Sequence, residues 1–173
     1  VVHGIVNDMG GAVSVYSEPG RGTTFNVLLP LYEGGTVETR VPQTLLKTGR
    51  GRILFVDDEE GVIVSGRGIL QQLGYTITST TSPVEALALF TAAPDAFDLV
   101  LTDMTMPKMT GLELSERLLK IRPDIPIVLC TGFSLGISPE RIRDAGIREM
   151  VIKPMVASEL SEAVYKAMHS VGG

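Results

Sequence analysis

Ile53-Leu-Phe-Val-Asp-Asp-Glu59 is a run of four apolar residues that ends in three acidic ones. Three later apolar runs end in a polar residue with a reactive side chain: Asp103, Thr131 and Lys153. Helix-like stretches separate these runs, which predicts parallel strands joined by helical crossovers. Because an open α/β sheet binds its ligand outside the carboxyl ends of its strands, we expect these polar residues to be neighbours in space.

The alternation of strands and helices after residue 52 predicts the fold. Strands are expected at 53–56, 75–80, 98–102, 125–130 and 149–152, and helices at 59–73, 83–92, 110–121, 138–145 and 155–169. Strict alternation implies right-handed crossovers, so the predicted class is α/β: a doubly wound, five-stranded parallel sheet with helices on both faces. In the first of these helices, Gly61, Gly66 and Gly68 each cost about 1 kcal/mol relative to Ala. Packing of its apolar residues is expected to offset that cost: Val62, Ile69, Leu70 and Leu73.

The first 30 residues form a separate pattern. Apolar residues at 1, 2, 5, 6 and 9 mark one face of a helix, and Gly10-Gly11 is a stop signal. Two strands at 12–17 and 23–29, joined by turn residues, predict a β-hairpin. About 30 residues bury too little apolar surface to offset chain entropy, so this piece is expected to need a docking partner. Residues 31–51 have the composition of a linker.

Composition excludes several functions. The formal net charge of −5 argues against binding to nucleic acid or to anionic membranes. Cys130 is the only cysteine, which rules out an intrachain disulfide and favours a small core residue. No apolar stretch reaches the ~20 residues that span a bilayer. The chain is therefore expected to be cytoplasmic without membrane contact, although a longer parent protein could carry a membrane anchor.

Four motifs at the predicted strand ends resemble the receiver domain of two-component response regulators. They occur in the order Ile53–Glu59, Leu101-Thr-Asp-Met-Thr-Met-Pro-Lys-Met-Thr-Gly111, Leu129-Cys-Thr-Gly132 and Val151-Ile-Lys-Pro154. The resemblance covers residues 52–170 and implies a flavodoxin-like fold for them. It implies phosphorelay signal transduction, in which the receiver accepts a phosphoryl group from a phosphohistidine and changes conformation.

The resemblance implies Mg²⁺ as the cofactor, with no other cofactor-binding residues. Asp103 is the expected nucleophile and phosphorylation site, and Lys153 supplies a positive charge to the transferring group. For the metal, the assignment is Asp58 and Asp103 as direct ligands, Asp57 through water and the Thr105 carbonyl. One alternative remains open: the acidic residues that follow the first strand could simply cap the next helix.

Two residues are expected to convey the switch. The Thr131 hydroxyl would bind a phosphoryl oxygen and thereby move the loop at 132–137. Receivers usually carry Tyr or Phe three positions before the lysine, but here that position is Met150. Switching is therefore expected to be weaker or to use different packing. Pro154, which follows Lys153, matches the family's cis proline.

The amino-terminal piece resembles the last helix and hairpin of the ATP-binding domain of sensor histidine kinases. The matching segments are Val1-Val-His-Gly-Ile-Val6, Gly10-Gly11 and Ser17-Glu-Pro-Gly-Arg-Gly-Thr-Thr-Phe25. The family's Gly-rich nucleotide loop and phosphoacceptor histidine are absent from this sequence. We therefore expect the carboxyl-terminal part of a hybrid sensor histidine kinase, with no ATP binding of its own. The chain itself would retain receiver self-phosphorylation and autodephosphorylation.

This interpretation specifies partners and leaves two alternatives. The expected partner is a phosphohistidine-bearing kinase or phosphotransfer domain, and a receiver homodimer is a second option. The first alternative is a stand-alone receiver switch with an inert amino-terminal piece. The second is an aspartate-nucleophile phosphatase, which is disfavoured because those enzymes place nucleophile and acid two residues apart after the first strand, whereas Asp103 follows the third.

Overall fold

The computed structural model describes residues 2–31, 46–132 and 145–169. Two compact units divide the chain, Val1–Val41 and Pro42–Gly173. The helix predicted at 138–145 and the loop predicted to move at 132–137 lie almost wholly outside the described residues.

Residues 2–31 of the amino-terminal unit form one short helix and one hairpin, as the sequence predicts. Helix α1 (Val2–Asp8) is followed by strands β1 (Ala12–Glu18) and β2 (Gly22–Leu28), which pair antiparallel. The side chain of Val6 packs into the interior of this unit with 5% exposure. Most other large apolar side chains of the unit are exposed: Val2, Ile5, Met9, Val15, Tyr16, Phe25, Val27, Leu28, Leu29 and Leu31.

The second unit is a parallel sheet between two helical layers. Its strands are β3 (Arg52–Val56), β4 (Thr76–Thr80), β5 (Leu99–Asp103), β6 (Ile127–Thr131) and β7 (Glu149–Ile152). The α-helices in the described part of this unit are α2 (Glu60–Gln72), α3 (Pro83–Ala92), α4 (Gly111–Ile121) and α5 (Ala157–His169). All neighbouring strands are parallel in the order β4-β3-β5-β6-β7, which confirms the predicted flavodoxin-like topology. In the described ranges, no helix has the length and apolar character needed to cross a bilayer.

Each face of the sheet has its own core, because successive side chains of a strand point to opposite sides. Leu54 and Val56 pack with residues of α3 and α4, whereas Ile53 and Phe55 pack with residues of α2 and α5. All four side chains have 0% exposure. Full burial of one such side chain stabilises the fold by about 1.5–3 kcal/mol, so these contacts hold β3 between the two helical layers.

Helix α2 forms despite its three glycines, because its apolar face is packed as predicted. Leu70 and Leu73 are buried, and Val62 and Ile69 pack at the edge of the same cluster. The glycines differ in role. A Cβ atom on Gly66 would lie 2.7 Å from Cε1 of Phe55, whereas Gly61 and Gly68 have nothing within 4 Å of that position. Gly66 therefore permits the close approach of helix and sheet.

The start of α4 is fixed next to the carboxyl end of β5. Thr110 Oγ1 accepts a hydrogen bond from the Glu113 amide at 3.2 Å, and the Glu113 carboxylate accepts one from the Thr110 amide at 2.8 Å. This capping box satisfies two otherwise unpaired amides of the first turn. The next amide, of Gly111, donates to the Met104 carbonyl at 2.9 Å. A Cβ on Gly111 would collide with the Asp103 carbonyl oxygen, so glycine is needed there.

Candidate functional site

The polar residues predicted to converge lie at adjacent strand ends of the sheet. Asp57 follows β3, Asp103 ends β5, Thr131 ends β6 and Lys153 follows β7. The structure brings three of these side chains into contact. The Lys153 ammonium nitrogen lies 2.8 Å from Asp57 Oδ2 and 2.6 Å from Asp103 Oδ1. One cation thus joins two carboxylates from different strands.

Asp57 is the most buried group of this cluster, with 0% exposure. Its Oδ1 accepts a hydrogen bond from the Glu59 amide at 3.0 Å and so helps to shape the turn into α2. Its Oδ2, although close to Lys153, is buried without an aligned hydrogen-bond donor. Burial raises the pKa of Asp57, and the attraction of Lys153 and the Glu59 amide offsets this only in part.

The alternative that the acidic residues after β3 simply cap helix α2 holds only in part. Asp57 accepts a hydrogen bond from the Glu59 amide, just before the first turn of α2. The residue at the N-cap position of α2 is Glu59, and its side chain makes no capping hydrogen bond. Asp58 has an exposed side chain. Because the second oxygen of Asp57 faces Lys153, capping does not account for the arrangement.

Both carboxylate oxygens of Asp103 have partners. Oδ1 is next to Lys153, and Oδ2 accepts a hydrogen bond from the Thr105 amide at 2.7 Å. The side chain is 6% exposed, so its carboxylate is oriented while an edge remains open to solvent. The contact of Thr105 with Asp103 is thus made by the Thr105 amide. The role of the Thr105 carbonyl as a metal ligand stays a prediction.

Lys153 is held as an ammonium. Burial lowers its pKa, but the hydrogen bond to Asp103 and the charges of Asp103 and Asp57 outweigh that effect and leave the pKa above its ordinary value. The peptide bond to Pro154 is cis, which confirms that prediction. Sequence reasoning missed Glu59 as a neighbour: its Oε1 lies 3.7 Å from the Lys153 nitrogen. The only available signal was its position two residues after Asp57.

The two predicted switch residues are not in the charged cluster. Thr131 is 7% exposed, and its hydroxyl donates to the Gly132 carbonyl at 3.1 Å. Its own carbonyl accepts from the Lys153 amide at 2.8 Å, which ties the ends of β6 and β7 together. Met150 lies on the edge strand β7 with 42% exposure. Their roles in switching stay predictions.

The residues fit a divalent cation in part. Among the described residues, no three His, Cys, Asp or Glu side chains are grouped so that they could hold a metal ion as they stand. The buried Asp57 Oδ2, which lacks an aligned donor, is nevertheless the kind of hard oxygen that Mg²⁺ satisfies. Mg²⁺ sites often use one or two carboxylates and keep several waters, and Asp57 and Asp103 offer two carboxylates here. Asp58 as a ligand stays a prediction.

Cys130 is inert packing next to the site. It has 0% exposure, and burial raises the pKa of its thiol to about 12. Its sulfur lies 3.7 Å from the Met155 sulfur, in the core between the sheet and α5. The prediction of a core cysteine is confirmed.

A parallel sheet in this order, with a buried aspartate–lysine cluster at its carboxyl edge, defines a class of α/β signalling domain. Comparison with known families then identifies the family within that class. The response regulator receiver domain matches residues 53–165, and the chain belongs to this family.

Curated relatives of this chain include sensor proteins. It is 34% identical over 143 residues to "Sensor kinase CckA" of Brucella abortus, covering 78% of this chain and 15% of that protein. It is 27% identical over 165 residues to "Aerobic respiration control sensor protein ArcB" of Escherichia coli, covering 94% of this chain and 21% of that protein. The chain thus spans about a fifth or less of the length of these relatives.

Solved structures of receivers are similar as well. A response regulator receiver domain protein from Clostridium thermocellum aligns with a TM-score of 0.64 and 30% identity, covering 68% of this chain and 93% of that one. A CheY-like receiver domain protein from Methanospirillum hungatei aligns with a TM-score of 0.61 and 30% identity, covering 69% and 94%. The predicted receiver fold and its phosphorelay class are confirmed.

Proposed function

We propose that Asp103 accepts a phosphoryl group from a phosphohistidine and that this chain forms part of a hybrid sensor histidine kinase. The observation that carries the proposal is the position of Lys153, whose ammonium bridges the buried Asp57 and the oriented Asp103. The two sensor proteins described above support the larger context.

The transfer requires little covalent chemistry from the protein. An oxygen of Asp103 forms a bond to phosphorus while the bond from phosphorus to the donor nitrogen breaks, and the electron pair stays on the imidazole. The Thr105 amide and Lys153 already orient the two carboxylate oxygens of Asp103. Positioning of this kind removes much of the entropic barrier to the reaction.

Charge neutralisation is the second contribution. Lys153 supplies a point charge beside the incoming phosphoryl group. Receivers generally use Mg²⁺ at this site, and here Asp57 and Asp103 would hold it, with Asp58 and the Thr105 carbonyl completing the proposed set. Bound Mg²⁺ would supply charge neutralisation at the phosphoryl oxygens. Thr131, the last residue of β6, would bind the phosphoryl group of the product, and Met150 would respond in place of the usual aromatic residue.

The amino-terminal unit belongs to the same proposal. We assign residues 1–30 to the carboxyl-terminal fragment of an ATP-binding domain, 31–51 to a linker and 52–170 to the receiver. The match to ArcB covers 94% of this chain and so extends beyond the receiver into this unit. The exposed apolar side chains of its hairpin also suit a piece of a larger domain. A histidine-containing kinase or phosphotransfer domain in the cytoplasm is the proposed partner, and a receiver homodimer is the second one.

Intact-protein mass spectrometry with acetyl phosphate tests the phosphorylation step. In Mg²⁺ the chain should gain one phosphoryl group, and a chelator should abolish the gain. Asp103→Asn keeps the shape but lacks the nucleophilic carboxylate, so it should not be labelled. Lys153→Met should be labelled at least tenfold more slowly, because one fixed charge near the transferring group is worth more than about 1.4 kcal/mol.

Asp98→Asn is the matched control, because Asp98 is a carboxylate paired with Arg52 at the opposite end of the strands. It should be labelled like the unmodified chain. Labelling that persists in Asp103→Asn, or that falls equally in Asp98→Asn, contradicts the assignment of Asp103.

A further inference from the structure

Residues 46–51, which the sequence assigns to the linker, lie against the receiver. Lys47 reaches helix α5, where its ammonium nitrogen is 2.7 Å from Glu162 Oε2 and 4.7 Å from the centre of the Tyr165 ring. The Tyr165 ring in turn stacks on His169, with 4.1 Å between ring centres. A lysine over an aromatic face and next to a carboxylate gains from both contacts.

The next residues are fitted closely to the domain. The Gly49 amide donates to the Leu73 carbonyl at 2.9 Å, and the Gly51 carbonyl accepts from the Thr76 amide at 2.8 Å. A Cβ on Gly49 would collide with the hydroxyl of Tyr75, which is itself buried. The backbone at Gly49 therefore lies so close to Tyr75 that a larger residue would not fit there.

Glu162 connects this segment to a groove on the domain surface. It lies between two lysines, with Oε2 next to Lys47 and Oε1 at 3.5 Å from Lys166. Its side chain also lines a groove of about 560 Å³ between β7 and α5, together with Met150, Ile152 and Lys166. Glu162, which holds Lys47, thus also forms part of one wall of that groove.

The opposite wall of the groove is tied to the charged cluster. Strand β7 carries Met150 and Ile152 and leads directly into Lys153, whose amide is bonded to the Thr131 carbonyl and whose ammonium contacts Asp103. A new phosphoryl group on Asp103 changes the charge that Lys153 faces. A displacement of β7 would then alter the groove wall that faces Glu162.

We infer that residues 46–51 form a strap latched to α5 by Lys47 and Glu162, and that phosphorylation of Asp103 loosens this latch through β7. The inference rests on the proposed function, because it takes the acyl phosphate as its input. It identifies where the receiver passes its state to the preceding part of the chain: the strap rather than a free linker.

Hydrogen–deuterium exchange of the full chain tests the latch. Lys47→Gln should accelerate exchange in peptides that contain the Gly49 amide by about twofold to fivefold, since loss of the ion pair increases local opening. Lys166→Gln is the matched control, because it removes the other lysine of Glu162 and leaves Lys47 in place. Arg21→Gln removes an ion pair of the amino-terminal unit, and neither control should change exchange in the strap.

The coupling is tested in the same samples with acetyl phosphate and Mg²⁺. The labelled, unmodified chain should exchange in the strap as fast as unlabelled Lys47→Gln, and labelling should add nothing further to that variant. Unchanged strap exchange in a chain that mass spectrometry shows to be labelled overturns the inference alone. Absence of any label overturns both the inference and the proposed function. Equal effects of Lys47→Gln and Lys166→Gln overturn the latch.

Discussion

The two units of this chain bury their strands to very different degrees. In the receiver, β5 and β6 are buried at every residue, because helices cover both faces of the sheet. In the amino-terminal hairpin, every residue of β2 is exposed. Both units nevertheless have regular backbone pairing. Hydrogen bonding between neighbouring strands therefore forms a hairpin locally, whereas a stable domain also needs its apolar faces covered.

The comparison explains why the sequence pattern of the receiver predicts a whole domain, whereas the sequence pattern of the hairpin predicts a fragment. A continuous apolar run such as residues 127–130 of β6 is typical of a strand that is covered on both sides. In the hairpin, side chains as large as Phe25 and Val15 stay exposed, although Val6 of α1 is buried in the same unit. These exposed side chains agree with the expectation that this piece needs a docking partner, which stays a prediction.

Truncation of one phenylalanine in each unit should give the largest contrast. Phe55 in β3 is 0% exposed, and Phe55→Ala should lower the free energy of unfolding by about 3–5 kcal/mol through lost burial and a cavity. Phe25 in β2 is 69% exposed, and Phe25→Ala should change it by less than about 0.5 kcal/mol. Urea unfolding followed by circular dichroism measures both. A large loss in Phe25→Ala would mean that the hairpin face is covered in solution.

The contrast between buried and exposed positions should recur within a single helix. Gly66→Ala would push a methyl group against Phe55 and should destabilise the receiver by about 1–3 kcal/mol. Gly68→Ala meets nothing within 4 Å and should stabilise it by about 0.5–1 kcal/mol, because alanine loses less entropy in a helix. The pair is measured by thermal and urea unfolding, and effects of the same sign would contradict the packing of α2 on the sheet.

Ion pairs should show the smallest difference. In the receiver, Arg52 binds Asp98 through side chain and backbone, with N–O distances of 2.8 to 3.1 Å, and the hydrogen bonds from Arg52 lower the pKa of Asp98. This contribution is fully present above the ordinary pKa of aspartate and is lost as pH falls through the lowered value. Asp98→Asn should thus lower the melting temperature by about 1–2 °C at pH 7, and by less as the pH approaches 3.

The hairpin offers the matched pair for that experiment. Arg21 and Glu18 also form an ion pair at 3.0 Å, but the arginine side chain is 82% exposed. Glu18→Gln should leave the melting temperature unchanged at both pH values. If Glu18→Gln shifted the melting temperature as much as Asp98→Asn, the difference in exposure between the two ion pairs would not explain their contributions to stability.

Most secondary structure followed from the pattern of apolar residues, and the differences are at the ends of elements. The strand predicted at 125–130 is Ile127–Thr131, because Pro126 lacks an amide and contributes only its carbonyl, which accepts from Val100. The strand predicted at 98–102 is Leu99–Asp103, shifted by one residue through its pairing with β6. Ends of this kind depend on the partner strand, which local sequence does not specify.

The sequence by itself determined the order of strands and helices, the acidic and basic residues at the strand ends and the family, since these depend on apolar periodicity and on motifs within a few residues. Only the tertiary structure decided that Lys153 bridges Asp57 and Asp103, that Glu59 lies near the same ammonium and that residues 46–51 follow α5. Those contacts join residues far apart in the chain. Their distances depend on how helices and sheet pack, and packing is settled by many weak contacts at once rather than by any one segment.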